Sequence, residues 1–423
     1  MRIEILNTGT ELLLGNTVNT HAAWLGRELF QLGLRITRQT TVPDGEAIRE
    51  SIREAMSRAD VLIVTGGLGP TSDDLTREIT ADVLGLKLTL DEAALRTIEE
   101  FFALRGRPMA AANHKQALFP DGSEVLANRH GTAPGVYVAP GLHGQAHGAI
   151  FLLPGPPREL YPMFQREVAP RLRALTKGAA LPAVLTLKFT GIGESDFHQG
   201  LDAELAAIAD LEYGYCAHIS EVDLRLIGTP DAITWARTLA LGHFAECLIS
   251  DDESSLEATV VRLLANQNLT LATAESCTGG LIANRLTDIP GASMVFTHGF
   301  VTYANAAKID LLGVAPHDLA THGAVSEIVA CQMADGALRA SGADIAVAVT
   351  GIAGPDGGTA EKPVGSAWIA LATRGSRATA VHVFHPRQRL DFKLAVSQAA
   401  LEAVRRLLMG LPSAGAPPPV TLS

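Results

Sequence analysis

Strands alternating with helices along most of the chain predict an α/β protein built in parts. The parts are an N-terminal α/β domain on a parallel sheet, a small α+β middle domain and a C-terminal α/β domain. Three observations carry this expectation. The run 60–65 is continuously apolar after its aspartate, as a parallel strand covered on both faces should be. Glycine-rich loops follow the strands near Gly9, Gly66, Gly279 and Gly351, where open α/β sheets bind their ligands. The length, 423 residues, exceeds one ordinary core, so two or three domains are expected.

In order along the chain, 2–8 reads as the first strand. A helix follows at 17–32, with Ala22, Leu25, Leu29 and Leu32 on one face. The second strand is 34–42, and Asp44 reads as the N-cap of a helix carrying Ile48, Ile52 and Met56. After the third strand, at 60–65, comes a helix through Leu75, Ile79 and Val83. A closing helix at 158–176 ends the first domain, drawn as 1–176, and 177–182 is a Gly/Ala/Pro joint. The middle domain, 183–249, reads as strand 184–189, a helix through Leu205, a hairpin at 211–219 and 222–228, and a helix at 231–247. It carries no catalytic constellation; Glu194 and Asp196 read as helix-cap acids. A polar linker, 251–255, opens the last domain, 254–412. There a helix from 256 leads to strand 269–273, helix 281–286, strand 295–303, helices 304–312 and 325–340, strands 344–350, 366–373 and 378–384, and a terminal helix with Phe392, Val396, Ala399, Leu401 and Val404. The proline-rich end, 413–423, reads as disordered.

Composition narrows the function classes. An apolar fraction of 47% with 19% charged residues is that of a globular protein. A net charge of −11 argues against non-specific binding to nucleic acid or an anionic membrane. The cysteines at 216, 247, 277 and 331 form no C-x-x-C pair, which suits a reducing cytosol and no zinc site. The N-terminus reads straight into a strand, with no signal peptide, and no apolar run is long enough to span a bilayer. The expectation is a soluble, cytoplasmic protein.

The N-terminal domain offers an anion site. Thr8 to Glu11 follow the first strand, with Asn16 and Asn19 just after, and Thr65 to Asp74 follow the third. Glycines there let the backbone approach a phosphate, and the next helix N-terminus favours an anion. The adjacent carboxylates of Asp73 and Asp74 point to a bridging divalent metal. The competing reading is that both only cap the following helix, favoured by its dipole.

The C-terminal domain offers amide or ester chemistry. An apolar run at 269–272 enters Ala274-Glu275-Ser276-Cys277-Thr278-Gly279-Gly280, and a helix follows. A serine at a strand-to-helix turn suits a nucleophile whose oxyanion must be held, and the backbone of Thr278, Gly279 and Gly280 is placed to supply N–H groups. The bland reading is a helix-capping serine. No Gly-x-Ser-x-Gly elbow exists and no histidine is near in sequence, so a Ser-His-Asp triad is not indicated. Lys308 in a dry pocket would serve as base, with Tyr303 as proton relay or orienting group; the bland reading is a solvated lysine on the helix to Leu312. Cys277 is the rival nucleophile, ranked second because a neighbour of the nucleophile points elsewhere at such a turn. Thr350, Gly351 and Gly354 form a second strand-end loop for a ribose or phosphate, with Arg389 as counter-cation.

These stretches resemble the CinA family over nearly the whole chain. Residues 274–280, 300–308, 347–355 and 389–393 look like its C-terminal domain, whose activity is deamidation of nicotinamide mononucleotide. Gly9-Thr10-Glu11, Thr65 to Thr76, Asn113-His114-Lys115-Gln116-Ala117, Asn128, Gly131 to Gly135 and Leu153 to Glu159 resemble its N-terminal domain, a fold of molybdopterin-binding type. The resemblance implies an amidase with Ser276, Lys308 and Tyr303 catalytic, and no organic cofactor for that step. It implies metal-dependent hydrolysis of the pyrophosphate of ADP-ribose in the first domain. That nucleotide site would comprise Gly9, Thr10, Glu11, Asn16, Asn19, Gly66, Gly67, Gly69, Thr71, Asn113 and Lys115, with a divalent metal on Asp73 and Asp74. A homodimer is implied, the middle domain being a spacer and dimerisation aid. The family has an arginine four residues after a phenylalanine; here Phe384 is followed by an apparent one-residue insertion. Arg389 is the better match because Lys393 follows at the expected spacing, and Arg387 stays open. From a different function class, the runner-up is a nucleotide- or pterin-binding scaffold with a vestigial C-terminal site.

Overall fold

The computed structural model describes residues 1–144, 146–176 and 182–412. The expected joint, apart from Pro182, and the expected disordered end at 413–423 lie outside the described residues. The chain divides into two compact units, Met1–Pro182 and Ala183–Ser423.

The first unit runs β1 (Ile3–Thr8), α1 (Thr10–Leu13), α2 (His21–Gln31), β2 (Ile36–Val42), α3 (Glu46–Met56), β3 (Val61–Thr65), α4 (Thr76–Val83), β4 (Leu88–Leu90), α5 (Glu92–Ala103), β5 (Leu118–Pro120), β6 (Glu124–Leu126), β7 (Gly135–Val138), β8 (Ala149–Leu153), α6 (Pro157–Met163) and α7 (Ala169–Leu175). Its main sheet has the order β2-β1-β3-β8-β7-β6. The first four strands are parallel, and β7 and β6 add an antiparallel edge to the expected parallel sheet. β1 and β3 are buried at every residue, because alternate side chains enter the cores on opposite faces. Ile5 and Ile63 join Leu25, Leu29 and Phe164 on one face; Leu6, Leu62 and Val64 join Ile48, Ile52 and Ile98 on the other.

Three local expectations are corrected. The helix expected from 17 starts at His21, because the Asn19 side chain accepts the His21 N–H at 3.1 Å and ends the preceding turn. Asp44 does not cap α3, whose N-cap is Gly45; its carboxylate accepts from the Thr10 N–H at 3.0 Å and hydroxyl at 3.1 Å. The closing helix is α6 and α7 joined by a π-helical turn at Phe164–Val168, just after Pro162 removes one backbone donor.

The second unit runs β9 (Ala183–Thr190), α8 (Glu194–Gly200), α9 (Asp202–Ala206), β10 (Leu211–His218), β11 (Glu221–Gly228), α10 (Pro230–Phe244), β12 (Leu248–Ser250), α11 (Leu256–Gln267), β13 (Leu271–Glu275), α12 (Leu281–Thr287), β14 (Phe296–Val301), α13 (Asn305–Leu312), α14 (Pro316–His322), α15 (Glu327–Ser341), β15 (Ile345–Gly351), β16 (Ser366–Thr373), β17 (Thr379–Phe384) and α16 (Arg389–Leu408). It holds an antiparallel sheet, β10-β11-β9-β12, and a five-stranded sheet, β14-β13-β15-β16-β17. In the latter β14, β13 and β15 are parallel, while β16 and β17 run antiparallel. The carboxyl ends of β13 and β15 thus lie side by side, which brings the Ser276 turn to the loop after Thr350.

The two sheets are not cleanly separable at the polar linker. Ile249 of β12 belongs to the core formed by α11, α12 and α16. Arg405 of α16 is fully buried, donates to the carbonyls of Glu246 at 2.6 Å and Leu248 at 2.8 Å, and pairs with Glu402 at 2.6 Å. No helix of the described residues is long and apolar enough to cross a membrane.

Candidate active site

β13 ends at Glu275, whose buried carboxylate turns back on the helix that follows. It accepts the Thr278 hydroxyl at 2.7 Å and the N–H groups of Gly280 at 3.0 Å, Ile282 at 3.0 Å and Ala283 at 2.8 Å. An acid at a helix N-terminus is favoured by the dipole, and these donors hold the intervening turn rigid. Gly279 and Gly280 have φ of 63° and 94°, the left-handed backbone the turn requires. Ser276 is therefore not the cap of α12. Its N–H is fixed to the Val349 carbonyl at 3.0 Å, and its side chain is 8% exposed.

α13 brings Lys308 to that serine. Lys308 Nζ lies 3.1 Å from Ser276 Oγ, 2.7 Å from the Thr302 carbonyl and 3.3 Å from the Tyr303 carbonyl. It is 1% exposed, so the solvated-lysine reading is corrected. Burial lowers its pKa from the ordinary value, with the Cys277 thiol as a smaller opposing influence. Cys277 packs into the core of this unit yet also borders the cavity beside Ser276, so it does not point elsewhere as expected; burial pushes its thiol up to about 12 against the downward pull of the Cys277 and Thr278 N–H groups. That leaves it a thiol at neutral pH.

The cavity around the pair has a volume of about 180 Å³. Ser276, Tyr303, Lys308, Thr350, Gly351 and Arg389 line it as expected. Thr350 donates to the Ala324 carbonyl at 2.8 Å, which ties β15 to the segment ahead of α15. Gly351 is required by its surroundings, since a Cβ there would meet Ala367 and the Ser366 carbonyl. Arg389 donates to the Tyr303 hydroxyl at 2.8 Å and to the Gly354 carbonyl at 2.9 Å. Arg389, not Arg387, is in the wall.

Three expectations change here. The Tyr303 hydroxyl pairs with Arg389, and only its main-chain carbonyl reaches Lys308, so a relay through the phenol is not what the geometry provides. Thr278, Gly279 and Gly280 do not line the cavity; the Gly279 N–H is given to the Ser276 carbonyl at 3.1 Å and the Gly280 N–H to Glu275. Gly354 acts from behind, through the carbonyl that holds Arg389. Two residues that sequence reasoning passed over are Glu275 and Asn305, which also lines the cavity. A larger, mostly apolar cleft of about 470 Å³ in the same unit, between α16, β17 and the turn at Gly191, contains none of these groups. The chemistry selects the smaller cavity.

The first unit has a cavity of about 590 Å³ lined by Gly9, Glu11, Asn19, Gly66, Gly67, Gly69, Asp73 and Asp74, as expected, and also by His21, Asp44 and Glu159. Thr10, Asn16, Thr71, Asn113 and Lys115 lie outside its lining. Thr10 and Thr71 instead support the wall, holding Asp44 and Asp74 through hydrogen bonds. Lys115 donates to the carbonyls of Thr71 at 2.8 Å and Asp74 at 2.7 Å, and Asn113 donates to Gln116 at 2.9 Å. Neither aspartate caps α4 with its side chain. The Thr71 hydroxyl holds the Asp73 carboxyl below its usual range, helped by its own backbone N–H and the Lys115 charge.

No group of three metal-ligating side chains gathers among the described residues. The lining nevertheless carries the carboxylates of Glu11, Asp44, Asp73, Asp74 and Glu159 and no lysine or arginine. The carboxylates of the lining oppose an anionic ligand unless a cation accompanies it. Oxygen donors of this kind would suit a hard divalent ion only where ligand phosphates supplied the rest of its coordination.

Residues 253–408 match the profile of the CinA C-terminal domain, and residues 4–174 that of a probable molybdopterin binding domain. A CinA-like protein of Akkermansia muciniphila is 49% identical over 95% of this chain and 96% of its own length. A putative competence-damage inducible protein of Symbiobacterium thermophilum is 47% identical over 97% of this chain and 99% of its own. The solved competence/damage inducible protein CihA from Agrobacterium tumefaciens is 45% identical over 37% of this chain and 96% of that chain, with a TM-score of 0.34.

Proposed function

The chain belongs to the CinA family, and from that premise we propose that its second unit hydrolyses the carboxamide of nicotinamide mononucleotide through Ser276. The observation that carries this reading is the buried lysine nitrogen 3.1 Å from the serine hydroxyl. In its neutral form Lys308 takes the Ser276 proton as Oγ adds to the carboxamide carbon. The lysine then returns that proton to the departing nitrogen, ammonia leaves, and water attacks the resulting ester to give nicotinic acid mononucleotide and free serine. Arg389, already turned into the cavity by Tyr303 and Gly354, is the cation for the mononucleotide phosphate.

The first unit is read as an ADP-ribose pyrophosphatase that works with a divalent metal. Asp73 and Asp74 would hold the metal, which supplies positive charge to the pyrophosphate oxygens. The chain's own residues bind and orient: the glycines at 66, 67 and 69 let the main chain approach the phosphates, and Thr71 with Lys115 keeps the Asp74 segment in place. Ammonia release from nicotinamide mononucleotide and phosphate-ester products from ADP-ribose, each measured with and without divalent metal, test both halves. Release of ammonia lost in Ser276→Ala supports the amidase reading; wild-type protein inert toward the mononucleotide refutes it.

A further inference from the structure

Helix α13 begins at the small cavity, whereas α12 begins outside its lining and has its N-terminus closed by Glu275. Around the nucleophile most turn N–H groups are committed: that of Ser276 goes to Val349, that of Gly279 to the Ser276 carbonyl, and that of Gly280 to Glu275. Those of Cys277 and Thr278 take no acceptor among the described residues, and Thr278 lies outside the cavity lining. α13 differs: its N-cap is Ala304, which has no capping side chain, and the N–H groups of Asn305, Ala306 and Ala307 have no acceptor among the described residues. The Asn305 side chain, exposed and without a hydrogen-bond partner among the described residues, lines the cavity beside Ser276 and Lys308.

We propose that the Asn305 side-chain amide, backed by the uncapped first turn of α13, is the oxyanion site of the amide hydrolysis proposed above, and the inference rests on that reading. When Ser276 Oγ bonds to the carboxamide carbon, the carbonyl π pair moves to oxygen and the serine proton moves to Lys308. The charge on that oxygen is met by the Asn305 N–H and by the positive end of the helix. Asn305 and Lys308 lie three residues apart on one helix, so base and oxyanion donor share a face of a single rigid element. Glu275 fits the same division: it neutralises the N-terminus behind the serine and leaves the one in front open.

Asn305→Ala and Asn305→Asp in the full-length protein separate this role from a structural one. A residue at the first helical position that only stabilises the helix is replaced by aspartate without loss, because an acid is favoured there. An oxyanion donor replaced by aspartate loses its N–H and gains the wrong charge. The expected result is kcat for nicotinamide mononucleotide lowered by about 10²-fold in Asn305→Ala with KM little changed, and Asn305→Asp at least as slow while its melting temperature holds. Labelling of Ser276 by a fluorophosphonate probe, read by mass spectrometry, should slow in both variants. Wild-type kcat in Asn305→Asp, or undiminished labelling in Asn305→Ala, overturns the assignment. Wild-type protein that is labelled in an Asn305-dependent way but leaves the mononucleotide intact keeps the oxyanion site and rejects the substrate. Wild type with neither labelling nor turnover rejects both.

Discussion

Ser276→Ala removes the hydroxyl that Lys308 contacts in the cavity, so ammonia release should fall to the buffer rate. Cys277→Ala should keep most activity, since a thiol pushed up to about 12 supplies no thiolate at neutral pH. The reverse pattern makes this a thiol amidase. Lys308→Ala should be as severe as Ser276→Ala, and the double variant no worse than either, because the two act as one unit. The pH dependence follows from the burial that lowers the Lys308 pKa. The neutral amine is the working base, so kcat/KM should rise with pH through that lowered value and be lost below it. The midpoint should lie under the roughly 10.4 of free lysine. Ser276 was legible because an apolar run leads into its glycine turn, whereas Lys308 came forward through the family resemblance, its own surroundings reading equally as a solvated helix face. The part of Glu275 was not legible, since the N–H groups it occupies look, in a sequence, just like donors waiting for a substrate. Tyr303 misled for a related reason: its carbonyl, present in any residue, makes the contact that its hydroxyl was expected to make.

Among the elements, α16 and β12 carry the most testable packing. Arg405→Ala takes the nearer cation from a buried Glu402, leaving it Arg406 at 3.6 Å, and leaves two main-chain carbonyls without their donor. Loss of one partner of such a pair costs about 3–5 kcal/mol, which a thermal melt would register as a large drop. A fragment of residues 253–412 lacks Ile249 and both carbonyls, and should melt well below one of 183–412; equal melting would mean that β12 is dispensable. β12 escaped sequence reading because three residues beside a charged linker carry no periodicity. The start of α2 was misplaced for a different reason. Val18, four residues before Ala22, continues the apolar rhythm, and the Asn19 side chain accepting the His21 N–H shows where the helix begins. Long buried strands such as β3 and β15 were read correctly, since a wholly apolar run has few other places to go.

For the whole molecule, the grouping of the middle sheet with the C-terminal sheet was hidden in the sequence. It is made by contacts such as Arg405 to Glu246, 159 positions apart. The two candidate sites lie in different compact units, so Asp73→Asn should abolish ADP-ribose hydrolysis and leave the amidase untouched. Equal loss of both activities would show that the aspartate matters for folding. On the reading proposed for the first unit, the carboxylates that line its larger cavity also bear on the kinetic form of the substrate. A bare polyanion is repelled by Glu11, Asp44, Asp73, Asp74 and Glu159, whereas its metal chelate arrives with much of that charge already cancelled. The rate should therefore track the concentration of the chelate and not that of total nucleotide. Excess uncomplexed nucleotide should be a poor competitor, and metal titrated at fixed nucleotide should saturate where chelation is complete.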